Sequence, residues 1–125
     1  MIELEGLTKD FGSLRAVDGI NLQIPRGEFF AVLGPNAAGK TTTIKMMVGL
    51  IRPTAGRARI AGFDIQENPL EARSRLSYVP DFLFLYEKLT PAEFLRFTGR
   101  LFRMPDAQIR EECDELVPRF NLEDW

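Results

Sequence analysis

Residues 34–41 read Gly-Pro-Asn-Ala-Ala-Gly-Lys-Thr, directly after the apolar run Phe-Phe-Ala-Val-Leu at 29–33. Apolar side chains then recur at Ile44, Met47, Val48 and Ile51. No other feature constrains the fold as strongly. A continuously apolar strand expects cover on both faces, and spacing of i, i+3, i+4 and i+7 marks one face of a helix. The glycine-rich segment is therefore expected to join a buried strand to a helix N-terminus, with Pro53 ending the helix.

Such a loop has a definite chemistry. N–H groups wrapped at a helix start converge on an anion, and the positive end of the helix dipole adds to their pull. Gly34 permits a sharp departure from the strand, and Pro35, Asn36, Ala37 and Ala38 form the wrap. Gly39 has no side chain to hold a phosphate off the backbone. The pattern G-x-x-x-x-G-K-[ST] then assigns Lys40 to β- and γ-phosphate oxygens and the Thr41 hydroxyl to Mg²⁺. Thr42 can donate to an α-phosphate. The ligand expected is a nucleoside triphosphate, foremost MgATP. The competing reading is a chance Gly-Lys-Thr at a helix start, and the strand before and helix after weigh against it.

The rest of the chain sets bounds. Its 125 residues, 45% apolar and 27% charged, suit one globular domain. The longest apolar runs are far too short to span a bilayer, and no signal-peptide pattern opens the sequence. Cys113 is the single cysteine and there is no histidine to activate it, so it is read as a buried apolar residue in a reducing compartment. Net charge is −2 with scattered basic residues, which is no footprint for nucleic acid.

Alternation at Ile2, Leu4 and Leu7, then at Ile20, Leu22 and Ile24, predicts a small antiparallel sheet with one wet face. Further strands are expected at 57–60 and 76–79. Thr90-Pro91-Ala92-Glu93 reads as a capping box opening a helix with Phe94, Phe97, Thr98 and Leu101 inside. A last helix carries Ile109, Cys113, Leu116, Val117 and Phe120, kinked or ended early by Pro118. Arg96, Arg100 and Arg103 share a helical face, read as a solvated basic face partly balanced by Glu93, with contact to a partner or lipid headgroups as the alternative.

Taken in order, these segments resemble the nucleotide-binding subunit of an ABC transporter along nearly the whole chain. The match runs through residues 7–12, 16–19, 27–28 and 34–43, then 49–56, 61–62, 76–80, 85–86 and 89–90. It implies an α/β, ABC-type P-loop nucleoside triphosphate hydrolase fold, with a mostly antiparallel β-subdomain (1–27), a P-loop core (28–80) and the start of a helical subdomain (81–125). It also implies that Phe11 stacks on adenine, a contact worth about 1–3 kcal/mol by analogy with other base–aromatic stacks. Asp81 stands where the family usually has a glutamine that touches Mg²⁺ and senses the permease. A carboxylate can still ligate the metal but cannot donate a hydrogen bond. The Val-Pro-Asp form is similar to exporters of drugs, lipids or polysaccharides. Ala37 replaces a common glycine; at positive φ it costs on the order of 1 kcal/mol.

The resemblance implies an ATPase motor, peripheral on the cytoplasmic side of the plasma membrane. Its partners would be a transmembrane permease subunit and a second nucleotide-binding subunit, identical or not, with membrane contact only through the permease. Phe82, Phe84 and Tyr86 lie where that family docks its coupling helix. The signature loop, the Walker B acidic pair and the switch histidine are expected beyond residue 125. The chain should then bind nucleotide and turn it over poorly, leaving apolar surface uncovered. Two alternatives stand beside the transporter motor: a soluble ABC-type ATPase acting on ribosomes or nucleic acid, and a non-catalytic nucleotide-binding fragment.

Overall fold

The computed structural model describes residues 1–81, 86 and 88–123, and the chain forms two compact units, Met1–Val79 and Pro80–Trp125. In the first, β1 (Ile2–Phe11) and β2 (Leu14–Ile24) make an antiparallel hairpin, with register from Ile2↔Ile24 to Phe11↔Leu14. β3 (Ala55–Ile60) pairs antiparallel with the other edge of β1, and the short β4 (Phe63–Asp64) pairs with β3. The strand order is β2-β1-β3-β4.

Strict alternation would put Leu4 and Leu7 on opposite faces, yet both are buried, at 3% and 0% exposure. Leu4 faces Leu22 while Leu7 faces Ile20, so β1 carries one extra residue across that step. Gly6, at φ 56°, takes the left-handed conformation of a bulge, which resets the pleat and turns both leucines inward. Its N–H donates to Asn21 Oδ1 at 2.8 Å instead of joining the ladder.

Helix α1 (Lys40–Met47) packs on β2 and β3. It closes a core of Leu4, Leu7, Val17, Met46, Ala58, Ile60, Ile65 and Ala72. The helix stops before Pro53 can act. The Leu50 N–H bonds the Lys45 carbonyl at 2.8 Å and the Gly49 N–H bonds the Met46 carbonyl at 3.1 Å, the paired bonds of a Schellman end. Arg73, closing α2 (Pro69–Arg73), donates to the Gly49 carbonyl at 2.9 Å. The buried face is also rotated from the expected one. Thr43 and Met46 are buried, whereas Ile44, Met47, Val48 and Ile51 are only half-buried. Ile44 and Met47 look instead into an apolar cavity of about 650 Å³, shared with Ile20, Leu22, Phe30 and Leu33.

That cavity borders the chief departure from the sequence reading. Residues 29–33 form no strand, and Phe29 and Leu33 are 96% and 90% exposed. A strand apolar on both faces holds only between paired neighbours with cover above and below. Every ladder among the described residues is antiparallel, and none includes this segment. Residues 76–79 likewise form no strand; Leu76 packs against the core while Val79 is exposed. Residues 57–60 fall within β3, as expected.

The second unit contains α3 (Pro91–Leu101) and α4 (Asp106–Arg119). The capping box is present. The Glu93 N–H bonds Thr90 Oγ1 at 3.3 Å, while the Thr90 N–H and hydroxyl donate to Glu93 Oε2 at 2.9 and 3.0 Å. The inner stripe of α3 is centred on Gly99, where an added Cβ would stand 2.7 Å from Ile109 Cγ1. Phe97 and Leu101, expected inside, are 39% and 66% exposed, because the closest approach to α4 needs the smallest residue. Ile109 and Cys113 are buried as read, but Phe120 is exposed. Pro118 lies in the last turn, and α4 stops one residue later. Tyr86 is exposed and meets Phe97 edge to face at 5.5 Å; Phe82 and Phe84 lie outside the described residues. Among the described residues no helix is long and apolar enough to cross a membrane.

Met46→Ala should destabilise the first unit by about 2–5 kcal/mol. Met47→Ala should cost far less, and denaturant titration of both variants checks the rotated face. Glu93 makes a second test. The bonds from Thr90, the backbone one foremost, hold its carboxyl below the ordinary glutamate range. Because the native value is depressed, its contribution is present above the unfolded value and lost as pH falls through the native one. A carbon-detected NMR titration should find the Glu93 midpoint below that of a free glutamate, and Thr90→Val should raise it.

Candidate functional site

The glycine-rich loop reaches α1 through Gly39, the residue preceding the helix, at φ 83° and ψ 2°. Its torsion suits glycine, and a second constraint is tighter. A Cβ at Gly39 would collide with the carbonyl oxygen of Ala16 and lie 3.1 Å from Val17 Cγ2. Ala16 is there because β2 bulges. Lys9 faces Val17 and Asp10 faces Arg15, which leaves Ala16 as the unpaired extra residue. A bulge re-aims the backbone locally, and this one sets the hairpin's end against the start of α1.

Two ties shape the loop from within. Lys40 Nζ donates to the Gly34 and Pro35 carbonyls at 2.7 and 2.6 Å, so the ammonium lies across the loop's own turn. The Thr43 hydroxyl and N–H both bond the Gly39 carbonyl, at 2.9 and 2.8 Å. Thr43 is thereby used up in the helix start, whereas Thr41 stays exposed and Thr42 partly so. Ala37 adopts φ 65°, the left-handed conformation that alanine resists.

Phe11, Leu14 and Ala16 from the hairpin face residues 36–42 across a cleft of about 400 Å³. Phe11 is 48% exposed. Among the described residues Lys40 is the one charged residue in that lining, and it stands at the N-terminal end of α1. An aromatic wall, backbone donors at a helix start and one ammonium can together take a planar ring attached to an anionic chain. The larger cavity beside 29–33 also reaches Lys40, with Glu28 and Thr43, but its remaining lining is apolar. Mg²⁺ keeps several waters and takes few protein ligands beside phosphates. The exposed Thr41 hydroxyl fits that role for an ion arriving with a nucleotide. No cluster of three acidic, Cys or His side chains among the described residues offers a resident cage.

The structure thus gathers Phe11, Asn36, Ala37, Ala38, Gly39, Lys40, Thr41 and Thr42 around one cleft, with Gly34 and Pro35 holding Lys40. Asp81 is exposed and stands at the start of the second unit, outside the unit that carries the loop. Leu14 and Ala16 were missed from the sequence. Leu14 had a signal, since a turn at Gly12 and Ser13 sets residue 14 opposite residue 11. Ala16 had none, because nothing in the residue types announces that bulge. Ala37→Gly should relieve the left-handed alanine and stabilise the unit by up to about 1 kcal/mol, while Gly39→Ala should destabilise it. Thermal unfolding midpoints of the two variants should move in opposite directions.

Comparison with known proteins identifies the family and the fold. The family model for ABC transporters matches residues 17–125. The daunorubicin/doxorubicin resistance ATP-binding protein DrrA of Streptomyces peucetius is 42% identical over 123 residues, covering 98% of this chain and 37% of that protein. The Nod factor export ATP-binding protein I of Ralstonia nicotianae is 39% identical over 123 residues, covering 98% and 38% respectively. This chain therefore spans less than two fifths of the length of these relatives. A solved ATP-binding subunit of an ABC transporter superposes with a TM-score of 0.82 at 31% identity, covering 98% of this chain and 51% of that one. The chain belongs to the ABC transporter family and has the α/β, ABC-type P-loop fold of its ATP-binding subunits.

Proposed function

We propose that the chain binds MgATP in the cleft between Phe11 and the 34–41 loop, as part of the ATPase motor of an exporter. The observation that carries this reading is the pairing of Phe11 with Lys40 across one cleft of about 400 Å³. An aromatic face meets the base where a cation and a helix N-terminus meet the phosphates. Backbone N–H groups of the loop hold the β-phosphate, and Gly39 leaves its backbone accessible. Lys40 exchanges its two loop carbonyls for β- and γ-oxygens, Thr42 donates to the α-phosphate, and Thr41 ligates Mg²⁺. The metal supplies charge neutralisation at the phosphates.

Export is supported by the relatives' names, which concern drug resistance and Nod factor export. In this reading the domain runs through a β-subdomain (1–27), a P-loop core (28–80) and the start of a helical subdomain (81–125). It works at the cytoplasmic face of the plasma membrane with a permease and a second nucleotide-binding subunit. Asp81 would serve beside the metal in place of a glutamine, as an acceptor only. The cleft lining contains no carboxylate and no imidazole among the described residues. Activation of the attacking water therefore falls to groups outside this wall.

Calorimetric titration with MgATP and with magnesium tripolyphosphate tests the assignment. Lys40→Ala removes a charge-assisted contact of about 1.5–3 kcal/mol and should weaken both ligands about 10- to 100-fold. Unchanged affinity would refute the phosphate site. Phe11→Ala should weaken ATP by about 1–3 kcal/mol and leave tripolyphosphate alone. Turnover by these 125 residues at a normal enzymatic rate would overturn the expectation that this chain alone turns nucleotide over poorly.

A further inference from the structure

Lys9 lies outside the glycine-rich loop and outside the cleft lining, yet it is held at two points. Its Nζ stands 5.1 Å from the centroid of the Phe11 ring and donates to the Arg52 carbonyl at 2.8 Å. Residues two apart on a strand share a face, so the lysine stem runs alongside the ring. The segment that receives it is itself fastened to β1. The Asp10 N–H bonds Thr54 Oγ1 at 3.0 Å, and the Thr54 N–H bonds the Thr8 carbonyl at 2.9 Å.

An aromatic ring has two faces, and a stacked base needs one of them. A half-exposed phenylalanine at the end of a hairpin would otherwise sample several rotamers, and ordering it on binding would cost affinity. Resting on the nucleotide reading above, we propose that Lys9 is a positioning residue for base recognition. It covers one face of the Phe11 ring from outside the cleft lining and is itself anchored to the Arg52 carbonyl. The ring is then already set when a nucleotide arrives. Lys9 touches neither base nor phosphate in this arrangement.

The test uses the whole chain, MgATP and magnesium tripolyphosphate. Lys9→Met keeps the stem and removes the charge. It should weaken ATP about two- to five-fold, the scale of an exposed cation–π contact, with tripolyphosphate unchanged. Lys9→Arg should restore ATP affinity, because a guanidinium also stacks on an aromatic face. In a Phe11→Ala background, Lys9→Met should have no further effect on ATP. Equal losses for ATP and tripolyphosphate would mean that Lys9 acts on the anion by charge alone, which overturns the proposal. So would a Lys9→Met effect that persists without the ring. If Phe11→Ala discriminates the two ligands and Lys9→Met does not, the Lys9 assignment fails and the stacking reading stands. If Phe11→Ala changes neither affinity, stacking fails and Lys9 falls with it.

Discussion

One close approach organises the first unit: the Gly39 backbone against the Ala16 carbonyl. A hairpin and a helix meet there with no room for a methyl group. The contact puts the N-terminal end of α1 beside the tip of the β1–β2 hairpin. It therefore decides which hairpin residues can wall a ligand held at the helix start. Gly39 meets two demands at once, since it accepts a left-handed φ of 83° and leaves the space that the Ala16 carbonyl needs. The remaining features of the cleft, including the aromatic wall, follow from where that contact places the hairpin.

Much of this was legible in the residues. The loop pattern, the capping box at Thr90 and Glu93, the hairpin and the buried cysteine depend on local chemistry, and local chemistry is what a sequence displays. The failures share a different cause. Residues 29–33 look like a buried strand because composition reports only what a segment would accept as neighbours. Whether neighbours are present is a non-local question, and among the described residues no ladder answers it. The stripe on α1 failed for a related reason. Ile44 and Met47 are apolar enough for a core, but the sheet lies under Thr43 and Met46, and a rotation of one residue separates the two faces.

Bulges were the other blind spot. Leu4 and Leu7 break a period of two, and the sequence alone cannot separate a bulge from the end of a strand. The structure resolves it through Gly6, whose N–H finds Asn21 outside the ladder. At Ala16 no glycine marks the irregularity. The site's composition was therefore easier to foresee than its assembly. Lys40 and Thr41 are announced by their motif, while Leu14 and Ala16 enter through register.

The bulge at Ala16 also makes the hairpin a counting device. Side chains on a strand change faces with every residue, so one extra residue in β2 sets which β2 groups meet α1 and brings the Ala16 carbonyl against Gly39. Deleting a single position between residues 12 and 16 would leave every residue from 34 to 41 in place. Phe11, on β1 ahead of the deletion, would keep its face, while the β2 residues would slip against β1 and the Ala16 carbonyl would lose its place against Gly39. A chain with that deletion would still carry the 34–41 motif intact, and it would have lost the contact that sets the hairpin beside it.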